Sequence, residues 1–138
     1  MAFLTPYRSQ ILGLTRIAIG LLYWSNGAKK LFGWFGGVGP DGGSVALASR
    51  MGAAGAIEFF GGLAIILGLY TSVVAFVIAG EMLFAYLLGH VMGPDGTQLF
   101  WWANGGERAA IYAWFFLLLS TLGGGAWSLD RRLGRGDG

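Results

Sequence analysis

Three ionisable residues stand in text that is otherwise apolar or small: Arg16 in GLTRIAIGLLYW, Glu58 in AIEFFGGLAIILGLY and Glu81 in SVVAFVIAGEMLFAYLLG. Two carboxylates and one guanidinium leave a shortage of positive charge wherever the surroundings are poorly polarisable. A carboxyl so placed holds a proton near neutral pH through desolvation and its like-charged neighbour. It can then relay protons or hydrogen-bond a carbonyl. Glu58 is expected to be that carboxyl. The competing expectation is purely architectural, with the three charges fixing helix register.

Spacing points the charges inward. Gly13, Gly20 and Gly27 recur every seven residues and mark one thin face of a helix. Arg16, three after Gly13 and four before Gly20, shares that face. Glu58 bears the same relation to Gly55 and Gly62. Glycines let helices approach closely, so both charges face neighbouring helices. Positions 58 and 81 lie symmetrically about the turn near Leu69 and Tyr70. At 1.5 Å per residue both glutamates should lie roughly 17 Å from that turn, on adjacent antiparallel helices. Side chains lean toward their helix N-terminus. Arg16 is therefore expected to pair mainly with Glu81, and Glu58 to look toward Asn26, Lys29 and the start of a fourth helix.

Further candidates flank this triad. Lys29 and Lys30, in SNGAKKLFGW, either snorkel to a membrane interface or cap a pocket for an anionic or quinone-like ligand. Glu107 suits a helix N-terminus electrostatically, and with Arg108 and Tyr112 it lies at the mouth of the proposed cavity. His90 is the single histidine, in a loop, and is read as incidental. FGGVGPDGGS lacks the Lys-Ser/Thr ending of a phosphate loop, so nucleotide binding is not expected. The chain has no cysteine, which excludes disulfides, thiolate metal sites and thiol catalysis, and no metal is expected.

The elements that must hold these residues follow from composition. Of 138 residues 55% are hydrophobic and 12% charged, roughly half the charge share of a soluble domain. The length suits one domain, 1–138. A net charge of +2, scattered along the chain, does not suggest nucleic-acid binding. Four segments approach the roughly 20 residues that a bilayer requires: about 9–27, 52–69, 72–89 and 108–127. The expected fold is all-α, an integral membrane four-helix bundle with a tight hairpin between helices 2 and 3 turning near Gly68 to Thr71. The two long connections both carry the turn-forming GPDG and share one side of the membrane, with the termini on the other. A cleaved signal peptide is disfavoured, since no small-residue cleavage site precedes a polar mature sequence. The dense RRLGR cluster after the fourth span leans both termini toward the cytoplasm.

These residues in this order resemble the DoxX family. The likeness rests on the intramembrane arginine of RIAIGLLYWSNGAKKLFG, the Glu-Gly-Gly segment IEFFGGLAIILGLYTSVVA, the glutamate of EMLFAYLLGH and the ending GGGAWSLDRRLG. It implies a four-helix protein of the bacterial cytoplasmic membrane. The family name descends from subunits associated with quinone-linked oxidation of sulfur compounds, and related members are linked to membrane oxidoreductase complexes handling redox stress. No single segment is a catalytic signature. With no in-chain thiolate centre, electron transfer would need a quinone or a partner redox protein.

The leading expectation is thus a membrane subunit or accessory of a quinone-linked oxidoreductase system. It would bind a quinone-like ligand, with no covalent cofactor, near Arg16, Glu58 and Glu81, with Asn26, Lys29, Glu107 and Tyr112 around the entrance. The alternatives are a scaffold that recruits a soluble redox enzyme or assembles a homo-oligomer, and a transporter of protons or a small solute.

Overall fold

The computed structural model describes residues 3–93 and 96–135; Pro94 and Asp95 of the second GPDG turn lie outside them. Four long helices dominate: α1 (Arg8–Phe32), α2 (Arg50–Leu67), α3 (Thr71–Val91) and α4 (Glu107–Leu122). A two-residue antiparallel ladder, β1 (Met92–Gly93) with β2 (Gly96–Thr97), and a single helical turn at Trp101–Asn104 link α3 to α4.

Local chemistry sets the boundaries. A short turn containing Pro6 leads into α1, and Gly33 ends it at φ 67°, donating its N–H to the Lys29 carbonyl. The left-handed conformation is cheap only for glycine. Ser49 caps α2 by accepting from the Gly52 amide at 3.0 Å, satisfying one of the orphan donors of a helix start. Gly68, again left-handed, closes α2. The turn predicted near Gly68 to Thr71 is where α3 begins. Gly123 at φ 73° stops α4.

Two boundaries differ from expectation. The first helix runs on to Phe32, because its lysines stay helical and one finds a buried partner. The fourth ends at Leu122 rather than near 127, because the Gly123–Gly125 run leaves the helix. Its 16 residues span roughly 24 Å at the standard rise.

α1 packs along α2, and α3 along α4. The buried core draws on all four through Tyr23, Ile65, Ile78, Met82, Phe116 and Leu119. α2 and α3 are each long and apolar enough to cross a membrane. A core helix of a soluble protein would be mostly buried, yet only 28% and 22% of their apolar windows are covered by protein. Phe76 is 65% exposed and Trp114 71%. Such contiguous apolar surface marks a face that meets something other than water.

The glycine face behaves as the seven-residue spacing predicts. Side chains on Gly13, Gly20 and Gly27 would collide in turn with Ala126, with Ile65 and Ile66, and with the Glu58–Phe59 backbone. From the facing helix, Gly62 meets Trp24 and Gly55 meets Lys30 and Leu31. α1 and α2 are therefore antiparallel and in near backbone contact along their length.

Candidate functional site: two buried polar centres

α1 carries Arg16, Tyr23 and Lys30, each three residues after a glycine of the heptad. All three project into the bundle beside the glycine face. The expected triad of Arg16, Glu58 and Glu81 does not form. Its charges divide between two centres at opposite ends of the helix pair.

Arg16 occupies the end near the termini and is completely buried. Its Nε donates to the Gly124 carbonyl at 2.8 Å, Nη1 to the carbonyls of Ile65 and Ile66, and Nη2 to those of Ala126 and Trp127. Ile65 and Ile66 belong to the last turn of α2, whose carbonyls have no partner within the helix and carry the negative end of its dipole. The rest belong to the glycine-rich segment after α4. Arg16 thus binds α1, the end of α2 and the C-terminal segment together. The expected pairing with Glu81 is corrected: a planar fork of five N–H donors is taken up by backbone oxygens at the other end of the helix.

Asp130 belongs to the same region and was not among the residues singled out from sequence. Its two carboxylate oxygens accept from the amides of Tyr70 and Thr71, both at 2.7 Å, and so cap the start of α3. Burial alone would raise this carboxyl, but the Thr71 and Tyr70 amides and the charge of Arg135 outweigh it and hold Asp130 below the usual carboxylate range. Ser128 starts the short turn Leu129–Arg132 by accepting from the Arg131 amide. The Ser-Leu-Asp ending is therefore a clamp on the α2–α3 hairpin.

The second centre lies toward the long loops. Glu58, 3% exposed, accepts from Lys30 Nζ through Oε1 at 2.7 Å; its Oε2 is buried with no hydrogen-bond partner. Glu81 Oε2 accepts from the Tyr23 hydroxyl at 3.0 Å. The Glu58 and Glu81 charges lie close enough to interact, in keeping with the equal depth predicted from the hairpin. The cation is Lys30 rather than Lys29, because Lys30 continues the heptad from Arg16. Glu58 sits in a π-helical stretch, Ile57–Gly61, a local widening that recurs at functional positions.

Tyr23 is fully buried and makes edge contacts with Tyr112 at 5.6 Å and Phe116 at 5.0 Å between ring centroids. The side chains of Asn26 and Tyr112 meet, with Arg108 nearby. Tyr112 thus lies against Tyr23, with Asn26 beside it. Lys29 lies half-buried in the last turns of α1, and Glu107 is exposed at the start of α4. His90 donates from Nδ1 to the Asn104 carbonyl, 3.1 Å away, and stays apart from both centres. Tyr23 was the residue of this centre that sequence reasoning passed over, and Lys30 was named only beside Lys29. Extending the seven-residue step from Arg16 finds both.

Comparison with known proteins follows this geometry. The DoxX family model matches residues 11–91, a stretch that contains Arg16, Tyr23, Lys30, Glu58 and Glu81. An uncharacterized protein of Haemophilus influenzae is 36% identical over 130 residues, covering 94% of this chain and 95% of that protein. No solved structure matches the chain. With more than half of its length matched, and a relative aligned nearly end to end, the chain belongs to the DoxX family of membrane proteins.

Proposed function

We propose that this chain is a four-span protein of the bacterial cytoplasmic membrane that binds a quinone-like ligand beside Tyr23, Lys30, Glu58 and Glu81. It would serve there as an accessory subunit of a quinone-linked oxidoreductase. The carrying observation is the charge balance of the second centre: one buried and one half-buried carboxyl, one ammonium, one tyrosine hydroxyl, and a buried oxygen of Glu58 without a hydrogen-bond partner. Buried polar atoms are nearly always paired, so an orphaned Oε2 suits a ligand hydroxyl or a proton. Ionisable groups inside a membrane ordinarily face one another and mark a pathway or a site.

A bound quinone would supply two-electron redox chemistry, with the electrons arriving from a partner redox protein. The chain's own residues hold the protons. Lys30 donates to Glu58, and Glu81, opposite a hydroxyl instead of a cation, is the carboxyl best placed to take up and release a proton. Asn26 and Tyr112 border the route toward the loops.

The membrane reading is supported by the exposed apolar faces of α2 and α3 and by the close glycine packing of α1 on α2. Orientation follows from the basic residues. Arg8, Arg131, Arg132 and Arg135 lie near the termini, while on the loop side Lys30 is half-buried and held in its ion pair, which leaves Lys29, Arg50 and Arg108. This excess supports cytoplasmic termini.

The test is to purify the protein in mild detergent and measure co-purifying quinone for wild type, Glu81→Gln and Tyr23→Phe. Folded variants stripped of quinone would support the reading; quinone retained by both, or absent from wild type, would remove it. A second reading rests on the closure of the centre: Tyr23 and Glu58 are almost fully enclosed. A scaffold that recruits a soluble redox enzyme, with its buried charges serving only to fix helix pairing, would give the no-quinone outcome.

A further inference from the structure

We propose that the groove between the first turn of α1 and the segment after α4 binds the phosphate of an anionic phospholipid. The groove, of about 430 Å³, is lined by Gln10, Ala126, Trp127, Arg131 and Arg132. Among the described residues its polar groups are two guanidiniums and an amide, with no acid. Asp130, the adjacent carboxylate, is turned inward with both oxygens committed to the Tyr70 and Thr71 amides. Among the described residues the salt bridge found is Lys30–Glu58, so neither arginine is neutralised by a carboxylate there. Arg131 makes one long contact, 3.4 Å, with the Ser9 hydroxyl.

Trp127 forms the apolar wall. Its backbone is left-handed at φ 57°, a conformation that a bulky side chain rarely adopts and that surroundings must enforce. Here the enforcing contacts are those of the Arg16 cage, which takes the Trp127 carbonyl. The ring edge lies over Gly13, the position where α1 has no side chain, and the residue remains 56% exposed. Indole at the edge of an apolar span is the usual interfacial anchor.

The occupant is a lipid headgroup rather than a soluble anion because the groove continues into apolar surface. Leu14, four residues after Gln10 and so on the same helix face, is 58% exposed, and Ile11 is 40% exposed. They offer acyl chains a path below the arginines. Basic residues just outside a span attract anionic headgroups in this way, and guanidinium matches phosphate geometry with paired N–H donors. The inference rests on the membrane reading above, but not on quinone binding.

Binding would be measured on the intact protein in detergent, by native mass spectrometry and by thermal midpoint. The probes are phosphatidylglycerol, phosphatidylcholine and inorganic phosphate. Wild type should retain phosphatidylglycerol with at least a ten-fold preference over phosphatidylcholine and gain several degrees from it, with no gain from inorganic phosphate. Arg131→Gln with Arg132→Gln should lose that preference while keeping its helical content; Arg131→Lys with Arg132→Lys should keep most of the preference. Unchanged lipid retention in the glutamine pair would overturn the proposal. So would equal binding of both lipids, which means apolar adsorption, or an equal gain from inorganic phosphate, which means a soluble-anion site. Should the glutamine pair fail to fold, the preference of wild type between the two lipids decides alone.

Discussion

Arg16 and Asp130 hold opposite sides of a single hairpin turn: Arg16 takes the last carbonyls of α2 at Ile65 and Ile66, and Asp130 takes the first amides of α3 at Tyr70 and Thr71. Helix ends leave these groups without intrahelical partners, and next to apolar solvent each unsatisfied group is expensive. One buried cation and one buried anion, brought in from α1 and from the C-terminal segment, thus complete the turn between the two most apolar helices.

Arg16→Lys should be nearly as damaging as Arg16→Ala. An ammonium has three donors at one point and cannot reach five carbonyls spread over two separate segments. Leaving several buried carbonyls unpaired costs about 1–3 kcal/mol each. Thermal unfolding in detergent should show both variants well below wild type; a lysine variant that melts like wild type would remove the cage from the account.

Asp130→Asn should destabilise by about 1.5–3 kcal/mol, the worth of hydrogen bonds to a charged group. The sign of the pH effect follows from the lowered carboxyl. Its stabilisation is fully present above the unfolded value, about 3.9, and is lost as pH falls through the lower folded value. Melting temperature should therefore drop in acid below about pH 4 by more in wild type than in the asparagine variant. Parallel acid profiles for the two proteins would contradict this role.

Gly27→Ala should force α1 away from Glu58 and Phe59, whose backbone a methyl group would overlap. Overpacking of this kind costs about 1–3 kcal/mol, and it should also weaken the Lys30–Glu58 pair one turn away. Gly80→Ala is the control, since a side chain there meets open space. Equal melting of the two variants would mean that the helices part more easily than the contact implies.

Lys30→Met should be severe alone and milder when combined with Glu58→Gln. Removing one partner of a buried ion pair strands the other charge, at about 3–5 kcal/mol, whereas neutralising both can approach neutrality. A double-mutant cycle on unfolding free energy reads the coupling directly. Additive losses would show that Lys30 and Glu58 are held independently.

Much of the architecture was legible in the residues themselves. The apolar runs, the LGLYTS turn and the glycine heptad determined a helical hairpin and a closely packed first helix, because span length and thin-face spacing are local properties of a chain. The Glu58 and Glu81 depths followed from counting along that hairpin. What tertiary structure alone decided was which partner each charge meets. Arg16 found backbone carbonyls, since a segment 108 residues away folds back over the helix end, and nothing local to Arg16 encodes that return. Lys30 displaced Lys29 because of which lysine lies on the glycine face, and Tyr23 became the partner of Glu81 because packing brought an unremarked hydroxyl to a half-buried carboxyl. Composition and period reveal that a charge must be satisfied; only the assembled helices determine by what.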